Sequence, residues 1–175
     1  MSRQKIILSE YAGVAFSLAS AFLIGVGIPV LLFSFNATGM ALLLTGFLLT
    51  LVFTSLAFLA SVKARDKARG IGIALLLWFY FALIYDGLVM LILFNFSDYP
   101  LEKITLLLTA LNPIDLARVF IMLKMDVSAL MGVTSALYKD FFGNITGILF
   151  TTGIMLLWAI IPLWLAVRGF KRKDI

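Results

Sequence analysis

The chain has 175 residues, 63% of them hydrophobic, with a mean hydropathy of +1.12 and only 13% charged, which excludes an ordinary soluble domain and equally a disordered one. It holds no cysteine and no histidine, so a disulfide framework, a Cys or His zinc site and a Cys/His or Ser/His catalytic pair are excluded as well. The net charge of +5 fits nucleic acid or a membrane surface, and the placement of the charges decides between them.

Arg3, Lys5 and Glu10 precede the first long apolar stretch, about 11–33. Glu10 reads as a helix cap or as an acceptor for a partner's base. The stretch is too long for the apolar region of a signal peptide, and no A-x-A-like site ends it. Gly25, Gly27 and Pro29 invite a kink within it. Further apolar stretches cover about 40–62, 71–94 and 145–167, the last with Pro162 inside it. Each is about 23 residues long, enough to cross roughly 30 Å of hydrocarbon with some tilt. The expected fold is therefore all-α. It is a polytopic membrane bundle of four transmembrane helices in a single domain, 1–175, with short outer interfacial helices between the third and fourth spans.

Lys63, Arg65, Lys67 and Arg69 lie between the second and third spans, and Arg168, Lys171, Arg172 and Lys173 follow the fourth. If four spans alternate, these fall on one side together with Arg3 and Lys5. The other bases, Lys103, Arg118, Lys124 and Lys139, are outnumbered in segment 96–144 by Asp98, Glu102, Asp115, Asp126 and Asp140. By the positive-inside rule both termini and the 63–69 loop are cytoplasmic, while 34–39 and 96–144 face outward. The basic surplus is thus a topology signal. No basic stripe with interleaved aromatics points to nucleic acid as a partner. The 63–69 loop sets topology, touches anionic membrane lipid headgroups, or meets a cytosolic subunit.

Segment 96–144 is too long for a tight turn and too apolar for a free loop. Asn112-Pro113-Ile114-Asp115 reads as a helix start: Asn as N-cap, Pro at the first helical position, and an acid facing the dipole. That helix is expected to run to about Leu123. Asp126-Val127-Ser128 can cap a second one, to about Tyr138. The apolar run between Pro100 and Leu111 is about 11 residues, too short to span, and fits an interfacial or re-entrant piece. The segment reads either as a membrane-hugging cover or as an outer gate or docking surface, with Asn112, Pro113, Asp115, Arg118 and Asp126 as its candidate residues.

Asp86 is the most informative acid, because about eight more apolar residues follow it in the third span. A mid-membrane acid costs about 2.5–3.5 kcal/mol on insertion scales, so it must face protein or water. It is a candidate pathway residue, or an acid near the outer interface bonded to a Tyr or a backbone group. Met90, Met122, Met125 and Met131 lie toward the outer side; thioethers bind Cu(I), but they also fill packing gaps, and no His or Cys assists them here. Gly143 and Gly147 form a G-x-x-x-G spacing at the start of the fourth span. The chain carries no G-x-S-x-G, H-E-x-x-H or Walker A motif, so it shows no catalytic, metal or cofactor site, and any ATP must be used by another chain.

Several stretches resemble a known family. Ser2-Arg3 followed by Ile6-Ile7-Leu8-Ser9-Glu10-Tyr11-Ala12-Gly13 is similar to the approach to a middle span in ABC-2 type permeases. The more specific likeness is to the Nos-type branch, the permease subunits of the ABC transporter tied to nitrous oxide reductase maturation. Val62-Lys63-Ala64-Arg65-Asp66-Lys67-Ala68-Arg69-Gly70, leading to Trp78 and Tyr85-Asp86, resembles that family's central loop and next span. Leu111-Asn112-Pro113-Ile114-Asp115-Leu116-Ala117-Arg118 and Asp126-Val127-Ser128-Ala129-Leu130-Met131-Gly132 resemble its outer segment. The likeness covers essentially the whole chain.

Such permeases normally have six spans, so this chain is expected to be a fragment or a shortened relative lacking the first two. The resemblance implies a homodimeric permease in the inner membrane, a pair of cytosolic ATPase subunits, an extracytoplasmic copper-handling protein, and a role in copper or sulfur delivery. It implies no enzyme activity in the chain itself. Arg3, Lys5, Lys63, Arg65, Lys67 and Arg69 are then the candidate ATPase contacts, and Asp86 the candidate pathway residue. The rival reading is a non-transporting membrane scaffold that docks an extracytoplasmic protein. A lipid-modifying enzyme is a distant third, because no acid/base pair or metal constellation is visible.

Overall fold

The computed structural model describes residues 3–96, 102–125 and 145–171. Six helices cover them: α1 (Lys5–Phe33), α2 (Ala37–Lys63), α3 (Lys67–Asn95), α4 (Glu102–Ala110), α5 (Pro113–Lys124) and α6 (Ile145–Lys171). Four of these, α1, α2, α3 and α6, are long and apolar enough to cross a membrane. No strand occurs among the described residues. The protein is an all-α, multi-pass membrane bundle. The expected second outer helix after Asp126, together with Met131 and Gly143, lies outside the described residues.

Helix α2 is the centre of the bundle. It packs against α6, α3, α5 and α1. A third of its apolar window is buried, against 11% for α1 and α3. Most of its buried positions are small or slim (Gly39, Ala41, Thr45, Val52, Thr54, Ser55 and Ala60), with Leu48 and Leu56 among them. Small residues let helices approach closely where lipid supplies no hydrophobic drive for association. Gly46 shows this directly, since a Cβ there would land on the Phe22 ring of α1. The hydroxyls of Thr45, Thr50, Thr54 and Ser55 each donate to a carbonyl four residues earlier, which satisfies them inside an apolar environment. Ser55 Oγ is also hydrogen-bonded to the Tyr11 hydroxyl of α1 at 3.0 Å, and the Tyr11 ring meets Phe58 edge-on.

Two tight turns join α1 to α2 and α2 to α3. Asn36 caps α2 by accepting from the Gly39 amide at 2.8 Å. Gly39 suits that turn because a Cβ would run into the Ser34 carbonyl. Asp66 caps α3 in the same way, accepting from the Arg69 amide at 2.8 Å. Both α1 and α3 contain a wide π-helical turn, at Leu23–Gly27 and Tyr80–Ile84. In α1 this turn occupies the place where Gly25, Gly27 and Pro29 suggested a kink. Helix α6 continues through Pro162.

The bundle thus has two unlike ends. One, here called the basic face, carries Lys5, Lys63, Arg65, Lys67, Arg69 and Arg168. The opposite end receives a pair of short helices, α4 and α5, bent 113° against each other.

Candidate functional site

Helices α4 and α5 form a re-entrant hairpin. They do not lie flat on the end of the bundle. The tip, Leu111-Asn112, reaches the level of Phe81, which stands at the middle of α3. Ile114, just past the tip, packs on the cluster of Val52, Leu56, Phe81 and Ala159, all at mid-helix positions of the spans. The sequence suggested an interfacial or re-entrant piece for the run before Leu111, and the geometry takes the second form.

Backbone at this depth has no water to bond, so each terminal group needs a partner within the protein. The last four carbonyls of α4 all have one. The Leu111 amide donates to Leu107 and Leu108, both at 3.1 Å, and the Asn112 amide donates to Thr109 at 3.3 Å. The Tyr85 hydroxyl of α3 donates to the Leu108 carbonyl at 2.7 Å. The Trp158 indole of α6 donates to the Ala110 carbonyl at 3.1 Å. At the far end of α5, the Thr38 hydroxyl of α2 donates to the Lys124 carbonyl at 2.8 Å. Three spans therefore hold the hairpin through its free carbonyls.

Asn112 joins these elements. Its side-chain oxygen accepts from the Ile114 amide at 3.0 Å and caps α5, while its amide nitrogen donates to the Phe81 carbonyl at 2.9 Å. Pro113 fills the first helical position, where no amide hydrogen is needed. The wide π-helical turn at Tyr80–Ile84 loosens the backbone ladder of α3 there and admits this side-chain donor. Asn112 and Pro113 are completely buried. They anchor the tip and present no surface to a partner.

The outer flank of the hairpin carries charge. Arg118 Nη1 lies 2.6 Å from Asp86 Oδ2 of α3 and 3.2 Å from Asp115 Oδ1, one turn earlier on α5. Asp86 is about 7.5 Å along α3 from the mid-span residue Phe81, at 1.5 Å per residue. That is well inside a hydrocarbon half-thickness of about 15 Å. The other face of α5 is apolar: Leu116, Ala117 and Phe120 bury themselves against Ala41 and Leu48 of α2 and Met155 of α6. Lys124 stands over the Phe120 ring at 5.7 Å.

Asp86, Asp115 and Arg118 thus come together in space, with Asn112 and Pro113 at the tip below them. Among the described residues, the ion-pair partner of Asp86 is a base on the hairpin, Arg118. At the basic face, Lys5, Lys63, Arg65, Lys67 and Arg69 are all exposed. Arg69 pairs with the capping Asp66 at 3.4 Å, and Arg168 stands over Trp164 at 5.2 Å. The side chain of Arg3 and all of Asp126 lie outside what is described. Met90, Met122 and Met125 are exposed. Among the described residues no group of His, Cys, Asp or Glu can hold a metal ion. Tyr85 and Trp158, which hold the hairpin carbonyls, were not singled out by the sequence as anchors. Tyr85 stood out only beside Asp86, and nothing local marks Trp158.

The sequence pattern of the ABC-2 family transporter proteins matches residues 1–175. A probable ABC transporter permease protein NosY of Pseudomonas aeruginosa is 31% identical over 185 residues, covering 100% of this chain and 66% of that protein. A second, of the same description, from Stutzerimonas stutzeri is 32% identical over 147 residues, covering 77% of this chain and 53% of that protein. The chain thus spans two thirds or less of the length of these relatives. With the family pattern running its whole length, the chain belongs to the ABC-2 transporter family.

Proposed function

We propose that the chain is the membrane permease part of an ABC transporter of the Nos type, serving copper or sulfur delivery for nitrous oxide reductase maturation. The observation that carries the transport reading is the α4–α5 hairpin. It enters the bundle from one end, stops at the level of the mid-span residue Phe81, and carries an ion pair to α3 about 7.5 Å from that level. Lipid does not tolerate charge at that depth, so water or protein must line this side of the hairpin. A plug that is hydrogen-bonded at its tip and charged along its flank suits an outer gate, with Asp86 on the pathway beside it.

The rest of the reading follows from family membership and charge. The chain works as a homodimer in the inner membrane, with the basic face and both termini in the cytoplasm. A separate ATPase subunit docks there on Arg3, Lys5, Lys63, Arg65, Lys67 and Arg69, and performs the ATP hydrolysis. A copper-handling protein meets the outer end.

The test begins with a mild-detergent pull-down of the natively expressed protein, with intact mass measured on the bait. An ATPase that co-purifies supports the reading; its absence favours a scaffold that only docks an outer partner. In the complex, Lys63→Glu with Arg65→Glu is expected to lower ATPase stimulation, and unchanged coupling removes the contact assignment. Asp86→Asn is expected to abolish transport while leaving assembly intact.

A further inference from the structure

The hairpin is held by two unlike sets of contacts. At the tip, Asn112, Tyr85 and Trp158 make neutral hydrogen bonds, with Asn112 completely buried. Along the flank, Arg118 and Asp86 make an ion pair whose side chains keep 42% and 37% of their surface open. An open ion pair at hydrocarbon depth must be met by water or by polar protein atoms. Either can replace one partner when the other moves away. A sealed bond at the tip has no such substitute.

The arrangement of the two carboxylates matters more. Asp86 belongs to α3 and stays with the spans. Asp115 belongs to α5, one helical turn from Arg118, and travels with it. The Asp115 side chain is only 14% exposed and is already in contact with Arg118. Arg118 therefore holds one partner that a hairpin movement removes and one that it cannot remove. Breaking the first contact never leaves the guanidinium unpaired, and this lowers the cost of separation compared with an isolated buried pair.

The geometry points to Arg118 as the latch residue of the hairpin, a positioning role that deepens the gate reading proposed above and rests on it. With the hairpin seated, Arg118 bridges Asp115 to Asp86, and the Asp86 carboxylate is paired. When the hairpin lifts, Arg118 leaves with Asp115, and Asp86 is left without its base, facing the space the hairpin vacates. The same movement that opens the outer end thus unmasks the pathway acid.

The sequence holds no cysteine, so a single introduced one can report on the hairpin in the protein in its membrane. Ala41 of α2 is buried beneath Leu116, Ala117 and Phe120, so Ala41→Cys reports whether the hairpin is seated. A membrane-impermeant maleimide applied from the outer side is expected to label it slowly. Adding Arg118→Gln or Asp86→Asn is expected to speed labelling about tenfold, the response to losing one charge-assisted hydrogen bond from a local opening equilibrium. The exchanged pair, Asp86→Arg with Arg118→Asp, is expected to restore slow labelling. Unchanged labelling in both single variants overturns the latch. If the single variants assemble poorly, the exchanged pair decides: restored assembly and protection support the latch, and failure of both overturns it. The readout uses neither transport nor ATP hydrolysis. A protected, exchanged pair in a protein without ATPase partner therefore keeps the latch and rejects the transporter, whereas labelling that ignores the pair in an ATPase-coupled protein does the reverse.

Discussion

Two turns in this bundle use the same capping chemistry in opposite surroundings. At the basic face, Asp66 starts α3 and accepts from the Arg69 amide at 2.8 Å. At the hairpin tip, Asn112 starts α5 and accepts from the Ile114 amide at 3.0 Å. Asp66 is more than half exposed, whereas Asn112 has no exposed surface. The difference explains the residue types. In water a carboxylate is hydrated and gains from the positive end of the helix dipole. In the middle of the bundle a charge lacks that hydration, and the side chain must also donate to the Phe81 carbonyl. A neutral amide can do both, and a carboxylate can do only the first.

Breaking the buried cap should have the largest effect. Asn112→Ala removes the cap of α5 and the side-chain donor to the Phe81 carbonyl. The expected loss is about 2–4 kcal/mol, read as a fall in Tm of the detergent-solubilised protein. Asn112→Ser keeps a capping oxygen but cannot reach Phe81, and should recover about 1 kcal/mol of that loss. If Asn112→Ala proves as mild as a surface cap, the tip is not a dry anchor.

Next in size is Trp158→Phe. It keeps most of the ring that meets Phe81 edge-on at 5.3 Å, and deletes only the donor to the Ala110 carbonyl. Hydrogen bonds inside membrane bundles average about 0.6 kcal/mol and reach about 1.7, so a loss in that interval is expected by the same thermal measurement. Faster amide hydrogen exchange in α4 than in α2 should accompany it, because the hairpin loosens before the bundle does.

The two turns also differ in how far the sequence revealed them. Asn112-Pro113-Ile114-Asp115 was legible as a helix start because capping is local: cap, proline and first-turn acid lie within four residues. The four membrane-crossing helices were legible because bilayer thickness sets their length. The depth of the hairpin was not legible. It depends on hydrogen bonds between groups 23 to 48 residues apart in the chain: Tyr85 donating to Leu108, Asn112 to Phe81, and Trp158 to Ala110. A Tyr or Trp in an apolar run carries no mark of the carbonyl it will meet. Asp86 was legible as a costly acid and Arg118 as a candidate gate or docking residue, but not that these two, 32 residues apart, would pair.

Asp66→Ala makes the exposed half of the comparison. The cap is lost, but water can take over the freed Arg69 amide. The expected cost is about 0.5–1 kcal/mol, near the lower end for a cap replaced by alanine. A cost equal to that of Asn112→Ala would mean that a membrane or a partner protein covers this turn.

The smallest effect is expected from Arg69→Gln. Its contact with Asp66 is 3.4 Å long, and the two side chains are 67% and 55% exposed. Pairs of this kind contribute about 0–1 kcal/mol and weaken further in salt. Thermal stability in detergent should therefore change little, and still less at high ionic strength. The Arg118–Asp86 pair, at 2.6 Å, should respond differently, because it sits inside the span where bulk salt does not reach freely. Comparing Arg69→Gln with Arg118→Gln across a salt series separates the two cases. A salt-independent destabilisation by Arg118→Gln places that pair in the interior of the membrane protein. A salt response like that of Arg69→Gln would place it in open water, and the hairpin would then lie shallower than its tip contacts require.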